Sequence, residues 1–572
     1  MTDSFRVEAT PVNRKIPGWA LAAGLSLLVS MAIVSPFFWM GSASGHDFEF
    51  HVASWLDVSY QWHEGTIYPR WTAWTNHGFG EPRFVFYPPL SWMLGAALMR
   101  IVPLPWVPAC YVVLVQTLAG WFAYFLLRRL TGERGAVLGA ACYVANPNAL
   151  LITYVRSDFA EQLACAIFPL LLLGALRITG LVEESKKVSS PILAFALPFA
   201  AVWLCNAPAG VIASYSMTLL IAWAFATSRS WKIALQGAAG IGLGFGLIGF
   251  YLVPAAYEQR WVNISQALAS GLLPWQNFLF TSIDDVEHAW FNFIASWTAV
   301  ILMLLVCSTA LLSRRFADGG QREGARRMWG GLLILAAGAS LLTFRFTNIL
   351  WMHLPKLRFV QFPWRWMSII ALIYACFVAA VAEKRRGWLA PLVIFVLSAP
   401  LAMNLIDNGW WDPDEMPTQQ AAVTSGTGFD GTDEYDPIGD DHLDLPQGAP
   451  LARVLSDTSP PTPATNAELK ILSWNTENKE IQVSSREEAH VALRVVNYPA
   501  WRVSVNGEKV TPERLDDLNQ MVVPVGAGSS LIEVRYGRTP DRTAGDLLTA
   551  LSLAIVAMLI VMRNGEPPEE SK

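Results

Sequence analysis

Long apolar runs recur along most of this chain, and their lengths predict membrane-spanning helices. The first run extends from Trp19 to Met40, and comparable runs follow as far as residue 406. A helix needs about 20 apolar residues to cross a hydrocarbon layer about 30 Å thick. Because so many runs reach this length, the pattern predicts a polytopic α-helical membrane protein, with a transmembrane domain over residues 18–406.

Clusters of Lys and Arg between the apolar runs predict how the helices are oriented. Cytoplasmic loops carry an excess of these residues, and Arg14 and Lys15 therefore place the N-terminus, residues 1–17, in the cytoplasm. If the short apolar stretch 90–102 only dips into the membrane, every later basic cluster also lies on the cytoplasmic side. This rule favours about twelve crossings plus one short helix, and thirteen crossings is the alternative. Both termini are then cytoplasmic, and the protein is expected in the inner (plasma) membrane.

The composition changes after residue 406. Residues 412–463 are rich in Asp, Gly, Pro and Thr and are expected to be irregular but packed. From residue 468 the chain shows six or seven short runs of alternating polarity, and Asn506-Gly507 is a strong two-residue hairpin signal. We therefore predict that 407–542 is an extracytoplasmic domain with a small antiparallel β-sandwich. A last apolar helix, 543–562, then leads to a cytoplasmic tail, 563–572.

Overall composition supports a membrane protein and excludes other classes. The 572 residues are 53% hydrophobic and only 15% charged, and the mean hydropathy is +0.35. A net charge of −5 without a basic stripe gives no sign of nucleic-acid binding. The six cysteines lie in apolar runs and form no CxxC pair, so neither a disulfide framework nor a cysteine metal site is indicated.

The densest set of ionisable and aromatic side chains lies in the segment 41–89, which is expected to be an outer loop. Asp47 and His51 are four residues apart and would share one face of a helix, with Glu49 on another side. The alternative for Asp47 is a simple helix cap. Imidazole and carboxylate groups also bind transition metals, so a divalent-metal site is a further alternative, formed by His46, Asp47, Glu49 and His51.

Other tracts bring ionisable residues to the same predicted face of the membrane. Such groups cost too much free energy to face lipid, so they indicate a function. One tract, YPRW, contains Arg70. Two others are YVRSDFAEQ and KLRFVQFPWRWM. Their polar candidates are Arg156, Asp158, Glu161, Arg358, Gln361 and Arg365.

Several of these tracts resemble a family of bacterial membrane proteins named after 6-pyruvoyl-tetrahydropterin synthase. The matching tracts are GHDFEFHVASW, YPRW, GFGEPRFVFYPPLSW, YVRSDFAEQLA, KLRFVQFPWRWM and, in the strand region, NYPAWRVSVNGEKV. The resemblance covers nearly the whole chain. A pterin synthase would need a soluble zinc site, for which the histidine spacing here is wrong, so that activity is rejected. The family is similar in turn to the GT-C superfamily of polytopic glycosyltransferases, which use polyprenyl-phosphate sugars as donors.

The GT-C resemblance implies a membrane glycosyltransferase and assigns roles to residues. In that superfamily an acidic residue of the first outer loop acts as the base or holds a metal, and by position it corresponds to Asp47. Many members carry DE or DxD here, whereas this chain has Asp47-Phe48-Glu49, so metal dependence stays open. A carboxylate can take the proton from an attacking hydroxyl, and arginine binds the leaving phosphate bidentately.

The expected partners and binding residues follow from the same resemblance. They are a polyprenyl-phosphate sugar donor, membrane lipids and an acceptor that is a glycan, a lipid or a protein. Arg156, Arg358 and Arg365 are the phosphate candidates, and Gln361 beside Trp364 suits a sugar. The remaining candidates for substrate binding are His51, Glu49, Arg70, Asp158 and Glu161.

Two other functions remain open from the sequence. A transporter would carry charged or broken helices near the midplane of the membrane, but here the helix interiors are nearly free of acids and bases. A non-catalytic scaffold or assembly protein of envelope biosynthesis would keep the same fold. Sugar transfer in vitro separates an enzyme from such a scaffold.

Overall fold

A computed structural model describes residues 16–182, 190–315, 323–439, 442–515 and 518–564. Most of the predicted cytoplasmic N-terminus, 1–17, and of the predicted tail, 563–572, lies outside these ranges. The described chain consists of a helical bundle and one β domain, which precedes the last helix.

The first ten helices lie between residues 18 and 205. They are α1 (Gly18–Val34), α2 (Phe37–Met40), α3 (Phe48–His63), α4 (Arg83–Phe86), α5 (Pro89–Leu98), α6 (Val107–Leu130), α7 (Glu133–Val144), α8 (Pro147–Leu151), α9 (Phe159–Ile178) and α10 (Pro191–Cys205).

The helices of the second part extend to the C-terminal end of the described chain. They are α11 (Ala207–Ser228), α12 (Trp231–Leu247), α13 (Gly249–Glu258), α14 (Val286–Arg315), α15 (Glu323–Leu342), α16 (Asn348–His353), α17 (Met367–Ala382), α18 (Leu389–Asp407), α19 (Glu415–Ser425) and α20 (Pro540–Asn564).

The number of membrane crossings depends on how bent and short helices are counted. Within the described residues, nine helices are long and apolar enough to cross a membrane, and eleven if two bent pairs count as one span each. The pairs α12–α13 and α15–α16 bend by 75° and 91°. The sequence-based count of about twelve also included α10, whose 15 residues extend about 22 Å. Helix α5 extends only about 15 Å, half the hydrocarbon thickness, so it does not supply a thirteenth crossing.

The segment 41–89 is far more ordered than a loop. It contains the 16-residue helix α3 and the short helix α4. Asp57, buried in α3, accepts hydrogen bonds from the backbone N–H groups of Ala73 and Trp74 at 2.7 and 2.9 Å. These bonds fold the chain after α3 back against the helix, and the segment becomes a platform at one end of the bundle.

The β domain begins at Ala452, earlier than the predicted residue 468. Its strands are β1 (Ala452–Thr458), β2 (Pro461–Pro463), β3 (Ala467–Trp474), β4 (Asn478–Ser485), β5 (Ala489–Val496), β6 (Trp501–Val505), β7 (Glu508–Val510), β8 (Glu513–Leu515), β9 (Leu518–Val525) and β10 (Gly528–Tyr536).

The strands form two five-stranded antiparallel sheets rather than six or seven strands in all. Their orders are β2-β1-β5-β9-β8 and β3-β4-β10-β6-β7. Val505 pairs with Glu508 across the Asn506-Gly507 turn, where both turn residues have positive φ, as a type I′ hairpin requires. Apolar side chains of both sheets belong to one buried cluster, so the domain is a β-sandwich.

The β domain is packed onto the 41–89 platform. Trp71, Phe79 and Phe86 belong to the same buried apolar cluster as the inner faces of the sandwich. Beside them, buried Glu258 of α13 accepts hydrogen bonds from Arg542 of α20 at 2.8 and 2.9 Å. The platform, the sandwich and the ends of α13 and α20 therefore form one structure. The prediction of a polytopic helical membrane protein with a β domain before its last helix is confirmed.

Candidate active site in the junction cavity

A cavity of about 580 Å³ lies where the helical bundle meets the platform and the segment that precedes the sandwich. We call it the junction cavity. Its walls combine ionisable groups with aromatic and aliphatic side chains. The polar residues in its lining are His46, Asp47, Tyr87, Arg156, Asp158, Asn206, Gln259, His288, Lys356, Gln361, Arg365, Thr432, Glu434 and Tyr435.

Arg156 is the centre of an ion cluster in this wall. Its Nη1 donates to Glu161 Oε2 at 2.6 Å, and its Nη2 donates to Asp158 Oδ2 at 2.8 Å and to Asp47 Oδ2 at 3.3 Å. Arg156, Asp158 and Glu161 are buried. A buried charge is tolerated only when it is paired and hydrogen-bonded, and here each of the buried charges has such a partner.

A second guanidinium and a histidine complete the cluster. Arg365 Nε lies 3.3 Å from Glu161 Oε2 and its Nη2 lies 3.7 Å from Asp158 Oδ2. His51, also buried, has its Nε2 3.5 Å from Asp158 Oδ1. Burial alone would raise the pKa of Asp158, but the contact with His51 and the charges of Arg156 and Arg365 hold it well below its usual range. Three carboxylates thus face two guanidinium groups.

Local backbone structure brings Asp47 to Arg156. The chain before α9 forms a turn of π-helix, Ile152–Arg156, and Ser157 then has φ 54°. Ser157 Oγ donates to the carbonyl of Ala43 at 2.7 Å and accepts from Gly45 N at 3.0 Å. A Cβ on Gly45 would lie 2.0 Å from the carbonyl oxygen of Val155. Only glycine allows this close approach, which ties the start of the platform to the ion cluster.

Asp47 does not act as a helix cap. It occupies the N-cap position of α3, but its side chain makes no capping hydrogen bond. The carboxylate turns to Arg156 instead, with 37% of the side chain exposed. Its Oδ1 makes no hydrogen bond to any residue that the structure describes. Asp47 therefore combines a fixed position with a free oxygen at the cavity wall.

Aromatic rings lie against the charged groups. The guanidinium of Arg156 is 4.7 Å from the centre of the Trp364 ring, and Trp364 stacks on Phe362 at 4.9 Å. Gln361, at φ 64°, donates to the carbonyl of Ala267 at 2.8 Å and lines the cavity beside them. Of the sequence-predicted residues, those that line the cavity are Asp47, Arg156, Asp158, Gln361, Trp364 and Arg365, together with His46.

Three predicted binding residues lie away from the cavity. Glu49 is exposed and does not line it. Arg70 donates to the carbonyl of Phe250 at 3.2 Å and stacks on Tyr68, so it connects the platform to α13. Arg358 is exposed, and its guanidinium lies over Phe359. The structure therefore does not bring these three side chains to the junction cavity, because helical and loop geometry directs each of them elsewhere. His51 and Glu161 belong to the ion cluster, where they support residues of the wall.

The proposed metal set is also not assembled. Within the described ranges, no group of three or more His, Cys, Asp or Glu side chains is arranged to hold a metal ion. His46 packs between Phe291 and Trp410, whereas His51 contacts Asp158 on the other side of Asp47. These residues are neighbours in the sequence at the start of α3, but their side chains point in different directions.

Two residues that sequence reasoning missed add charge to the cavity. Lys356, at φ 59°, donates to Gln259 at 3.4 Å and has no carboxylate partner among the described residues. Glu434 comes from the irregular chain before the sandwich, and burial raises its pKa to about 7, with a contribution from Glu81. Lys356 is the first residue of the tract KLRFVQFPWRWM, but no local pattern marks Glu434.

Comparison with known proteins places the chain in a family. The profile described as "6-pyruvoyl-tetrahydropterin synthase related domain; membrane protein" matches residues 84–408. The chain belongs to this family. The family assignment made from the sequence tracts is confirmed, and the protein is a membrane protein. No curated protein matches the chain.

Two solved structures are similar to this chain, both with low TM-scores and low sequence identity. The oligosaccharyltransferase of Archaeoglobus fulgidus in the apo form has a TM-score of 0.35 and 15% identity, and the match covers 72% of this chain and 57% of that one. ArnT from Cupriavidus metallidurans bound to undecaprenyl phosphate has a TM-score of 0.30 and 12% identity, with 82% of this chain and 97% of that one covered. The chain thus spans little more than half of the oligosaccharyltransferase.

Proposed function

We propose that this protein is a membrane glycosyltransferase that moves a sugar from a polyprenyl-phosphate donor to an acceptor in the junction cavity. The observation that carries the proposal is the cavity itself, in which Asp47 and a paired Arg–carboxylate cluster meet aromatic and aliphatic walls. An amphiphilic donor needs such a mixed lining, because its phosphate and sugar are polar and its lipid is not. The resemblance of the family to GT-C enzymes supplies the donor class.

Asp47 is the base in this proposal. An acceptor hydroxyl that attacks the anomeric carbon loses its proton, and a carboxylate within hydrogen-bond reach accepts it. The bond from the hydroxyl oxygen to the anomeric carbon forms while the bond from that carbon to the phosphate oxygen breaks, and polyprenyl phosphate leaves. Asp47 Oδ1 is available for the proton, while Oδ2 is held by Arg156.

The leaving phosphate needs positive charge, and the two arginines supply less of it than the sequence predicts. The charges of Arg156 and Arg365 are already balanced by three carboxylates. Lys356 is the cavity lysine or arginine without a carboxylate partner in the described chain. We assign the phosphate to Lys356 together with the outer edge of Arg365, and the sugar to Gln361 and Trp364.

The orientation completes the proposal. The positive-inside rule puts the basic loops in the cytoplasm, so the cavity, the platform and the sandwich face the extracytoplasmic side. The acceptor then belongs to the cell envelope and is a glycan, a lipid or a protein.

The test incubates the wild-type protein in nanodiscs with a panel of polyprenyl-phosphate monosaccharides and measures the release of polyprenyl phosphate. Lys356→Gln should raise the KM for the donor about tenfold or more, since a hydrogen bond to a charged group is lost, while the KM for the acceptor changes little. Arg358→Gln is the matched control, because it removes a nearby exposed charge that does not line the cavity.

A scaffold protein gives a different result. It would bind donor or partner without releasing polyprenyl phosphate from any member of the panel. Turnover in which Lys356→Gln and Arg358→Gln behave alike would keep the enzyme and reject the phosphate assignment.

A further inference from the structure

A second cavity, of about 290 Å³, lies between the platform and the sandwich. It shares no lining residue with the junction cavity. Aromatic rings from both the platform and the sandwich line its walls, together with two basic side chains. The residues that matter here are Tyr60, Trp71, Trp74, Trp474, Lys479 and Arg494.

Arg494, on β5, is the unusual group in this cavity. Its Nη1 donates to the carbonyl oxygens of Ala449 and Gly426 at 3.2 and 3.4 Å, whereas its Nη2 makes no hydrogen bond to any residue that the structure describes. No carboxylate of the described chain forms an ion pair with it. Arg494 is only half-buried, so this part of its guanidinium retains hydrogen-bonding capacity for an anion.

The charge balance of the walls is positive. Lys479 is buried, and its Nζ donates to the carbonyls of Asn475 and Thr476 at 3.0 and 2.6 Å. Glu64 is the acid of the lining, and its Oε2 accepts from the backbone N–H of Thr476 at 3.0 Å. Burial lowers the pKa of Lys479 to about 7, so Arg494 is the basic group of the lining that stays charged at neutral pH, and it also carries the free donor.

The aromatic walls of the cavity present ring faces in more than one direction. Tyr60 and Trp74 meet at 5.2 Å with their planes at 74°, so their faces point in different directions. Trp74 Nε1 and Thr476 Oγ1 are buried without a hydrogen-bond partner. Buried polar atoms of this kind are nearly always satisfied in folded proteins, but these two have no surface open to the cavity, so the contribution of this wall is its aromatic faces.

We propose that the second cavity binds an anionic saccharide unit, with its carboxylate or phosphate at Arg494 and its ring against the indole faces. Guanidinium binds planar anions through paired hydrogen bonds, and aromatic faces with polar edges suit a ring that is apolar on its faces and polar at its rim. The volume is at the lower end of small-ligand sites and fits one sugar unit. Gly78 lies under the guanidinium, where a Cβ would be 3.1 Å from it.

This site is independent of the proposed transfer, and its test measures binding without any lipid donor. Calorimetric titration of the full-length protein in nanodiscs uses D-glucuronate and D-glucose 6-phosphate as anionic sugars, with D-glucose and inorganic phosphate as the separate halves. At least one anionic sugar should bind about tenfold or more tightly than either half, because the charged hydrogen bonds and the ring contacts are made together.

Variants identify the site. Arg494→Gln should weaken the binding of the anionic sugar about tenfold or more, whereas Arg486→Gln, the same change at an exposed turn of the sandwich, should leave it unchanged. Thermal unfolding of both variants checks the fold, and Trp74→Phe, which removes only the indole N–H and part of the ring, serves as the second probe. Binding by neither anionic sugar, equal binding of glucose or phosphate alone, or full binding by both site variants would overturn the proposal.

Discussion

Asp47→Asn is the substitution that best separates catalysis from structure in this protein. The change keeps the size of the side chain and removes the negative charge and the proton acceptor. Because Asp47 is 37% exposed and is the most distant of the three carboxylates around Arg156, at 3.3 Å, its ion pair should contribute at most about 1 kcal/mol to stability. Arg156 stays paired with Asp158 and Glu161 at 2.8 and 2.6 Å.

The effect on transfer should be much larger. General-base catalysis is worth about 10²–10⁴ in rate, which corresponds to a barrier about 3–5 kcal/mol higher. The assay is release of polyprenyl phosphate under saturating donor, with thermal unfolding in the same detergent. Asp407→Asn is the matched control, since Asp407 is exposed at the end of α18 and does not line the cavity.

A structural substitution gives the contrasting pattern. Glu161→Gln weakens the pairing of a buried cluster, and breaking a buried pair costs about 3–5 kcal/mol of stability. It should therefore lower the unfolding temperature much more than Asp47→Asn. Wild-type transfer in Asp47→Asn, or a loss of stability as large as that of Glu161→Gln, would refute the role of Asp47 as base.

Three further substitutions test other parts of the structure. Glu434→Gln removes a carboxyl whose pKa is raised by burial from 4.5 to about 7. Because the folded state binds this proton more tightly than the unfolded state, the stability of the wild type falls as pH rises through this window. The Tm of the variant relative to that of the wild type should therefore increase between pH 5 and pH 8, and a Tm difference that stays constant would contradict the raised pKa. Asp57→Ala removes the acceptor of two backbone hydrogen bonds at 2.7 and 2.9 Å and should cost several kcal/mol, about 1–3 for each orphaned donor, with faster proteolysis of the platform than in the Ser59→Ala control. Gly45→Ala should sharply lower the yield of folded protein, because its Cβ would lie 2.0 Å from a carbonyl oxygen, whereas Gly24→Ala, with nothing within 4 Å, should be tolerated; equal yields would show that the contact at Gly45 is not needed.

The candidate site was only partly predictable from the chain. Asp47, Arg156 and Asp158 stand in short tracts at helix starts, and ionisable residues near membrane helices are informative because lipid excludes them. Glu49 and Arg358 belong to the same tracts but point away from the cavity, since direction depends on the helix phase and on turns with positive φ at Lys356 and Gln361. Local spacing alone carries no such information.

By itself the sequence determined the membrane class, the β domain before the last helix and the family. These follow from local quantities: the length of apolar runs, alternating strands, the Asn506-Gly507 turn and the matching tracts. Tertiary structure decided which charges meet. Glu434 is more than 380 residues away from Asp47 in sequence, yet both line one cavity, and Arg494 faces the platform only because the sandwich packs on it. Long-range packing sets such neighbours, and it leaves no periodic signal in the chain.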